Sequence, residues 1–294
     1  MNDTATHDLD AGAVQRAFNR AAPSYDAAAE FQRAVGDELL ERLATVRVTP
    51  ERVVDLGCGT GYPTRQLLGM YRSAEVIGVD FAPGMARRAG RGRWPRRRPL
   101  TLCADIRRLP LADASVDVLF SNLAFQWIED LPALFIELRR VLRPDGVLMF
   151  STFGPDTLTE LRAAWSAVDR RMHVHEFPDM HDVGDAVLQA GFKDPVMDVD
   201  RTCRSYSDVR SLMRELQAIG ARNAAHDRPR GLLGRGVLAQ LERAYPTFAE
   251  DGNVLATWEL AYGHAWGADT PRAPRGDARE QHIPIESIGR RPRS

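Results

Sequence analysis

Short apolar runs alternate with segments of helical periodicity along most of the chain, a pattern typical of a sheet of mainly parallel strands. Five buried strands are predicted first, at residues 52–56, 75–80, 100–105, 115–120 and 147–152. Residues 195–203 alternate as an exposed strand does, and residues 255–262 predict a closing strand. The pattern therefore predicts an α/β fold with a doubly wound, mostly parallel seven-stranded sheet.

Helical periodicity also marks the segments on either side of this core. Residues 11–45 are predicted to form N-terminal lid helices, and residues 207–252 a helical insertion before the last strand. Residues 46–206 then form the core, residues 253–266 contain the closing strand, and residues 11–266 make a single domain. The polar ends, residues 1–10 and 267–294, are predicted to be disordered.

Composition excludes several classes of function. The chain of 294 residues has a formal net charge of -1, which gives no broad electrostatic footprint for nucleic acid. No apolar run approaches the roughly 18 residues of a membrane helix, and the polar N-terminus is not a signal peptide. Three scattered cysteines form neither a metal pair nor a disulfide framework. We expect a cytoplasmic protein without nucleic-acid or membrane partners.

A glycine-rich turn follows the first predicted strand. Asp55 lies at the end of that strand, and Gly57, Gly59 and Gly61 follow at alternate positions. Glycine permits positive φ and lets backbone amides approach a ligand closely. The second strand ends in Asp80, which could accept hydrogen bonds from both hydroxyls of a ribose. These features predict a nucleoside-containing ligand above the turn.

The turn departs from the fingerprints of phosphate-containing nucleotides. Tyr62 stands where a dinucleotide site has its third glycine, and no Gly-Lys-Ser/Thr of a P-loop follows. An acid beside the turn repels phosphate but suits a cation. S-adenosylmethionine carries a sulfonium, an ammonium and a ribose without phosphate, so the spacing favours this cofactor over NAD. The predicted cofactor-binding residues are Asp55, Gly57, Cys58, Gly59, Gly61, Asp80, Phe81, Met85, Asp105, Ile106, Asn122 and Leu123.

Two further strand ends contribute to this prediction. Asp105 could accept a hydrogen bond from the adenine amino group while Ile106 packs on the ring; the alternative for Asp105 is a helix-capping or loop acid. Asn122 follows the fourth strand and is placed to touch the methionine part of the cofactor. Gln126 or Trp127 would then face the substrate, although Trp127 could equally belong to the core.

The histidines and acidic residues at 173–182 do not have metal-ligand spacing, and we predict no metal site.

The glycine turn with Asp80 and Asp105 resembles class I S-adenosylmethionine-dependent methyltransferases over residues 50–152. Longer segments, at residues 17–26, 121–127, 150–161 and 213–221, resemble the BioC-type malonyl-acyl-carrier-protein O-methyltransferases of biotin synthesis. Together these matches span residues 14–266. The resemblance implies a Rossmann-like methyltransferase fold.

The same resemblance implies methylation of the free carboxylate of a malonyl thioester, carried by acyl-carrier protein or coenzyme A. This carboxylate is ionised at neutral pH, so the reaction needs orientation and a dry site rather than a general base. The predicted catalytic residues, which would orient the carboxylate, are Tyr25, Arg20 and Arg214, with Arg162 and Arg204 as further candidates. Two alternatives stay open: methylation of another small carboxylate such as trans-aconitate, and a non-catalytic cofactor-binding regulator.

The insertion also carries a group of arginines that could dock an acidic carrier protein. Its members are Arg210, Arg214, Arg222, Arg228 and Arg230.

Overall fold

A computed structural model of the chain describes residues 10–91, 97–169, 171–219, 235–246 and 249–269. These residues contain one seven-stranded sheet with the strand order β3-β2-β1-β4-β5-β7-β6. The strands are β1 (Arg52–Leu56), β2 (Glu75–Asp80), β3 (Leu100–Cys103), β4 (Val116–Asn122), β5 (Leu142–Phe153), β6 (Phe192–Tyr206) and β7 (Val254–Gly267). Strands β1 to β5 pair in parallel, whereas β7 runs antiparallel to β5 and β6.

The described helices precede the sheet and fill the connections between its strands. They are α1 (Ala11–Ala21), α2 (Tyr25–Ala28), α3 (Glu30–Ala44), α4 (Tyr62–Met70), α5 (Pro83–Ala89), α6 (Leu131–Val141), α7 (Thr159–Ser166), α8 (Met180–Gln189), α9 (Val209–Ala218) and α10 (Arg235–Ala244). None of the helices in the described ranges is long and apolar enough to cross a membrane. The predicted fold class is confirmed, because the sheet is mostly parallel and helices flank it.

Two hydrophobic clusters cover the sheet. One includes Leu39 and Leu43 of α3, and the other includes Leu134 and Leu138 of α6. Neighbouring positions of β1 belong to different clusters, Val53 to the first and Val54 to the second. Successive strand residues point to opposite faces, so a continuous apolar run is what a strand covered on both faces requires.

The strand order reverses at β1, which lies between β2 and β4. Val54 is the register partner of Ile77 on one side and of Leu119 on the other. The connections after β1 and β4 therefore leave in opposite directions and open a crevice at the carboxyl ends of the strands. Most of the predicted cofactor-binding residues lie at this crevice.

Four strands differ from the sequence prediction. β3 ends at Cys103, so Asp105 lies in the following turn rather than in the strand. The predicted turn at residues 143–146 is a bulged part of β5, because the register with β4 shifts between Val116 and Val118. β6 and β7 extend well beyond the predicted 195–203 and 255–262, because they pair with each other along most of their length.

The predicted segment boundaries stay a prediction where they fall outside the described ranges. Residues 1–9 and 270–294 belong to the predicted disordered ends and lie outside the described residues, as do residues 220–234 of the predicted insertion. Asp10 is described, and its side chain accepts a hydrogen bond from the Ala13 amide at the start of α1.

Gly263 in β7 offers a test of this packing. It pairs with Phe150 of β5 and Met197 of β6, and an added Cβ would lie 2.3 Å from Phe150 Cζ and 2.8 Å from Met197 Sδ. We expect Gly263→Ala to lower the free energy of unfolding by about 1–3 kcal/mol, because overpacking forces neighbours out of their rotamers. Urea denaturation measures this change.

Gly69→Ala in α4 is the matched control, because an added Cβ there meets nothing within 4 Å. Alanine favours a helix over glycine by up to about 1 kcal/mol, so this variant should be at least as stable as the wild type. Equal stability of the two variants would contradict the packing described for β7.

Candidate active site

The glycine turn after β1 is held against the end of β2 by backbone hydrogen bonds. The amides of Gly57 and Cys58 both donate to the Val79 carbonyl, at 2.8 and 3.0 Å. Gly57 has a φ of 70°, and an added Cβ there would lie 2.4 Å from the Cβ of Ala124. The chain after β4 therefore packs so closely on the turn that only glycine fits at position 57.

Asp80 connects the turn to the start of α5. One carboxylate oxygen accepts the Gly59 amide at 2.9 Å, and the other accepts the Ala82 amide at 2.8 Å. Burial raises the pKa of Asp80 to about 6, although these two amides act in the opposite direction. Each oxygen keeps a further lone pair for a ligand.

Asp55 is a second buried acid beneath the turn. It is 1% exposed, and its carboxylate accepts a hydrogen bond from the Thr64 hydroxyl at 2.6 Å. Burial is the main cause that raises the pKa of Asp55 to about 7, and the nearby charge of Asp80 adds to it. The site therefore holds two acids that favour the arrival of a positive charge.

The N-terminal helices cover the carboxyl ends of the strands. Gln15 of α1 donates from Nε2 to the Phe81 carbonyl at 2.7 Å. The Thr60 hydroxyl of the glycine turn donates to the Asp26 carboxylate of α2 at 2.5 Å. Phe18 of α1 adds an edge-to-face ring contact with Trp127 at 5.5 Å. The predicted lid segment thus contacts both the turn and the chain after β4.

Two adjoining cavities lie beneath these helices and share Tyr25, Gly57, Gly59 and Asn122. The structure brings all the predicted cofactor residues except Gly61 to them. The first cavity is lined by Gly57, Gly59, Asp80, Phe81, Met85, Asp105, Ile106, Asn122 and Leu123, and the second adds Asp55 and Cys58. Gly61 instead precedes α4 with a φ of 85°, where an added Cβ would lie 2.8 Å from Ala89 Cα.

Asp105 lines the first cavity but is also engaged in its own turn. It accepts from the Arg107 amide at 2.9 Å and from Arg107 Nη2 at 2.6 Å. Burial acts to raise the pKa of Asp105, but the hydrogen bonds from Arg107 outweigh it and lower the pKa below the ordinary value. Asp105 therefore stabilises its own turn, as the alternative interpretation of a loop acid predicts, and it also lines the cavity.

Asn122 is fixed at the end of β4. Its Nδ2 donates to the Gln32 carbonyl at 2.9 Å, and its Oδ1 accepts from the Ser151 hydroxyl at 2.9 Å. The next residue, Leu123, adopts a positive φ of 51°, which is uncommon for a residue with a side chain. This strained backbone is held by a bond from the Leu123 amide to the Ser151 carbonyl at 3.1 Å.

Of the three predicted catalytic residues, only Tyr25 lines the cavities. Burial raises the pKa of the Tyr25 phenol well above its ordinary value, and Asp80 and Asp26 act in the same direction. Arg20 and Arg214 are both exposed, on α1 and α9, and neither lines these cavities. Helical periodicity could not distinguish these outward positions from inward ones.

The two further candidates, Arg162 and Arg204, contact other parts of the chain and do not line these two cavities. Arg162 donates to the carbonyls of His175, Pro155 and Thr157 at 2.6–3.0 Å. Arg204 lies over the ring of Phe31 at 5.1 Å and pairs with a carboxylate of α9. Both arginines therefore stabilise the packing of the chain around the site.

The predicted docking arginines are only partly described. Arg210 forms an ion pair with Glu242 of α10 at 2.8 Å. Arg222, Arg228 and Arg230 lie outside the described residues.

No group of three or more candidate metal ligands occurs within the described ranges. His173 instead stacks on Trp165 at 3.7 Å and contacts Asp169 at 2.9 Å.

Among the residues of the second cavity that the sequence analysis did not predict are Gln32 and Arg33 of α3. They directly follow the core residue Phe31, and nothing in an amphipathic pattern separates a polar residue facing a cavity from one facing solvent.

Comparisons with known proteins agree with this geometry. Residues 54–150 match the family model described as a methyltransferase domain. The fold resembles the YcgJ protein of Bacillus subtilis, with a TM-score of 0.56 and 15% identity, covering 80% of this chain and 99% of the other. A protein of Bacillus halodurans C-125 gives a TM-score of 0.57 at 14% identity, with the same two coverages. The family model thus indicates a methyltransferase domain at residues 54–150, and the two solved structures share its fold.

Closer relatives narrow this class. The malonyl-[acyl-carrier protein] O-methyltransferase of Halorhodospira halophila is 49% identical over 295 residues, covering 100% of both chains. The protein of the same name from Methylovorus is 49% identical over 266 residues, covering 88% of this chain and 89% of the relative. The chain therefore belongs to the malonyl-[acyl-carrier protein] O-methyltransferase family.

The raised pKa of Asp55 predicts how stability depends on pH in the ligand-free protein. The pKa is 3.8 ordinarily and about 7 in the fold, so the folded state binds more protons than the unfolded state between these values. Its contribution to the free energy of unfolding therefore falls as pH rises through this range. Because of Asp55, the wild type should lose about 2 kcal/mol of its free energy of unfolding between pH 5 and pH 7. Asp55→Asn should not show this loss.

Urea denaturation of both proteins at several pH values measures this difference, with Asp80 present in each as the common background. The same pH dependence in wild type and variant would contradict the assignment of a raised pKa to Asp55.

Proposed function

We propose that this protein uses S-adenosylmethionine to methylate the free carboxylate of a malonyl thioester on acyl-carrier protein, an early step of biotin synthesis. The observation that carries the cofactor assignment is Asp80, a buried acid at the end of β2 beside a glycine-rich turn. Membership of the malonyl-[acyl-carrier protein] O-methyltransferase family supports the substrate. Free cysteines at positions 58, 103 and 203 fit a reducing cytoplasm.

The residues present fit the cofactor in charge and shape. Asp80 keeps acceptor capacity for ribose hydroxyls, and Ile106 lines the same cavity beside Phe81 and can pack on an adenine ring. Gly57 and Gly59 leave room for the chain that joins the ribose to the amino-acid end. Bound there, the cofactor supplies a methyl group activated by its positive sulfonium.

The protein's own part is to exclude water and orient the carboxylate. The contacts of α1 and α2 with the glycine turn and with Trp127 cover the cavities. Tyr25 lies where the two cavities meet, and its phenol, whose pKa burial raises further above its ordinary value, is protonated at neutral pH. A neutral donor can hold a carboxylate without quenching its nucleophilicity as a full ion pair would.

Mass spectrometry of the acyl group tests this function. The protein is incubated with S-adenosylmethionine and, separately, malonyl-acyl-carrier protein, malonyl-coenzyme A and trans-aconitate. We expect a gain of one methyl group on the malonyl-acyl-carrier protein, and at most slow transfer to the other two. Methylation of trans-aconitate alone, or no transfer despite tight cofactor binding, would contradict the proposal.

Tyr25→Phe tests the orienting role. The variant lacks the hydroxyl but keeps the ring, so we expect kcat/KM for the malonyl substrate to fall about 10- to 100-fold. The affinity for S-adenosylhomocysteine, measured by calorimetry, should stay within about twofold, because the ring remains in place.

Tyr71→Phe, at the carboxyl end of α4 and away from the cavities, serves as the matched control and should behave as the wild type. Unchanged kcat/KM in Tyr25→Phe would remove this residue from the reaction.

A further inference from the structure

The second cavity extends the site beyond the glycine turn. It shares Tyr25 and Asn122 with the first cavity and is also lined by Asp55, Gln32 and Arg33. The proposed function places the adenosine of the cofactor in the first cavity, beside Asp80 and Ile106. The amino-acid end of the same molecule must then leave across Gly57 and Gly59, and the second cavity is the space that receives it.

Gln32 has an unused acceptor in this region. Its side-chain Oε1 is buried and has no hydrogen-bond partner in the part of the chain that the structure describes. Leaving a buried acceptor unpaired is costly, so such an atom is a candidate to meet a ligand.

The backbone around Gln32 is fixed. Its carbonyl accepts from Asn122 Nδ2 at 2.9 Å, and Gly36, one turn later, allows the close approach, since an added Cβ would lie 3.1 Å from the same nitrogen. The N-terminal half of α3 is thus held on the end of β4, which positions Gln32 and Arg33 without the ligand.

Arg33 supplies a cation on the same helix. Its Nη1 donates to the Asp26 carbonyl at 2.5 Å, and the guanidinium lies 6.0 Å from the ring centroid of Tyr62. Within the described ranges, no carboxylate forms an ion pair with Arg33, whereas Arg42 of the same helix pairs with two. A guanidinium with several unused N–H groups at a cavity suits a carboxylate ligand.

The geometry points to a clamp for the amino-acid end of S-adenosylmethionine, formed by Gln32 and Arg33 and resting on the proposed function. Gln32 Oε1 accepts a hydrogen bond from the ammonium group, and Arg33 pairs with the carboxylate. The buried acid Asp55 lines the same cavity and adds attraction for the ammonium. The clamp fixes the end of the cofactor opposite its adenine and so sets the position of the sulfonium between them.

Three ligands distinguish the contribution of Gln32 from that of Arg33. S-adenosylhomocysteine has both charged groups, its decarboxylated form has only the amine, and methylthioadenosine lacks the whole amino-acid end. Calorimetry measures the affinity of each for the full chain, for Arg33→Ala and for Gln32→Leu. Arg42→Ala is the matched control, because Arg42 lies on the same helix but pairs with Glu38 and Asp198.

We expect Arg33→Ala to weaken S-adenosylhomocysteine binding about 10- to 100-fold and to change the affinity for the other two ligands by less than about threefold. Gln32→Leu should weaken the two amine-containing ligands about tenfold and leave methylthioadenosine unchanged. Arg42→Ala should bind all three ligands as the wild type does.

Two results would overturn the clamp while leaving the cofactor assignment intact. One is an unchanged affinity of Arg33→Ala for S-adenosylhomocysteine. The other is an equal loss for all three ligands in both variants, which would mean that the helices covering the site are disturbed. A wild-type protein that binds none of the ligands would instead overturn the cofactor assignment itself, and the clamp with it.

Discussion

The site depends on one carboxylate that bonds two backbone segments at once. Asp80 accepts the Gly59 amide of the turn after β1 and the Ala82 amide at the start of α5. These segments are joined to different strands, so the acid fixes the two loops that border the crevice. The carbonyl of the adjacent Phe81 then accepts from Gln15, which extends the same arrangement to the first covering helix. Replacing Asp80 would disturb the turn, the proposed ribose site and the lid together.

The positive charge of the proposed ligand would offset the cost of burying Asp55 and Asp80. Two carboxylates in a buried site are unfavourable in the empty protein, and their pKa values rise to about 7 for Asp55 and about 6 for Asp80. A ligand with two positive groups and one carboxylate would reverse this cost, because opposite charges favour the ionised acids. The guanidinium of Arg33, which forms no ion pair with a carboxylate within the described ranges, would complete the complementarity on the carboxylate side of the proposed ligand. The proposed cofactor, with a zwitterionic tail on a cationic centre, would suit these charges better than a phosphate would.

Much of this arrangement could be predicted from sequence, because it depends on short-range patterns. Strand ends are visible as apolar runs that stop at a polar residue, and the crevice of a doubly wound sheet collects them, which is why Asp55, Asp80 and Asn122 lie together. The glycine turn is visible as a local motif as well, although the contact that requires Gly57 is a long-range one, with Ala124 just after another strand.

The features that could not be predicted depend on how the helices pack on the sheet, and the periodicity of a helix does not determine this. Arg20 and Arg214 share the polar character of Arg33, but only Arg33 faces a cavity. The bulge in β5 was predicted as a turn, because Pro144, Asp145 and Gly146 favour turns wherever pairing with a neighbouring strand does not hold them. Gly61 was predicted to bind the cofactor on spacing alone, although close packing against Ala89 accounts for it.

The most direct test of the account is the number of protons exchanged when S-adenosylmethionine binds. Calorimetry at about pH 6.5, in buffers of different ionisation enthalpy, measures this number. The raised pKa values of Asp55 and Asp80 in the empty protein predict a net release of about half a proton or more, because the cationic ligand favours their ionised forms. The release should vanish near pH 8.5, where both acids are already ionised. Binding at pH 6.5 without proton release, or with uptake, would contradict the claim that these two acids receive the positive charge of the cofactor.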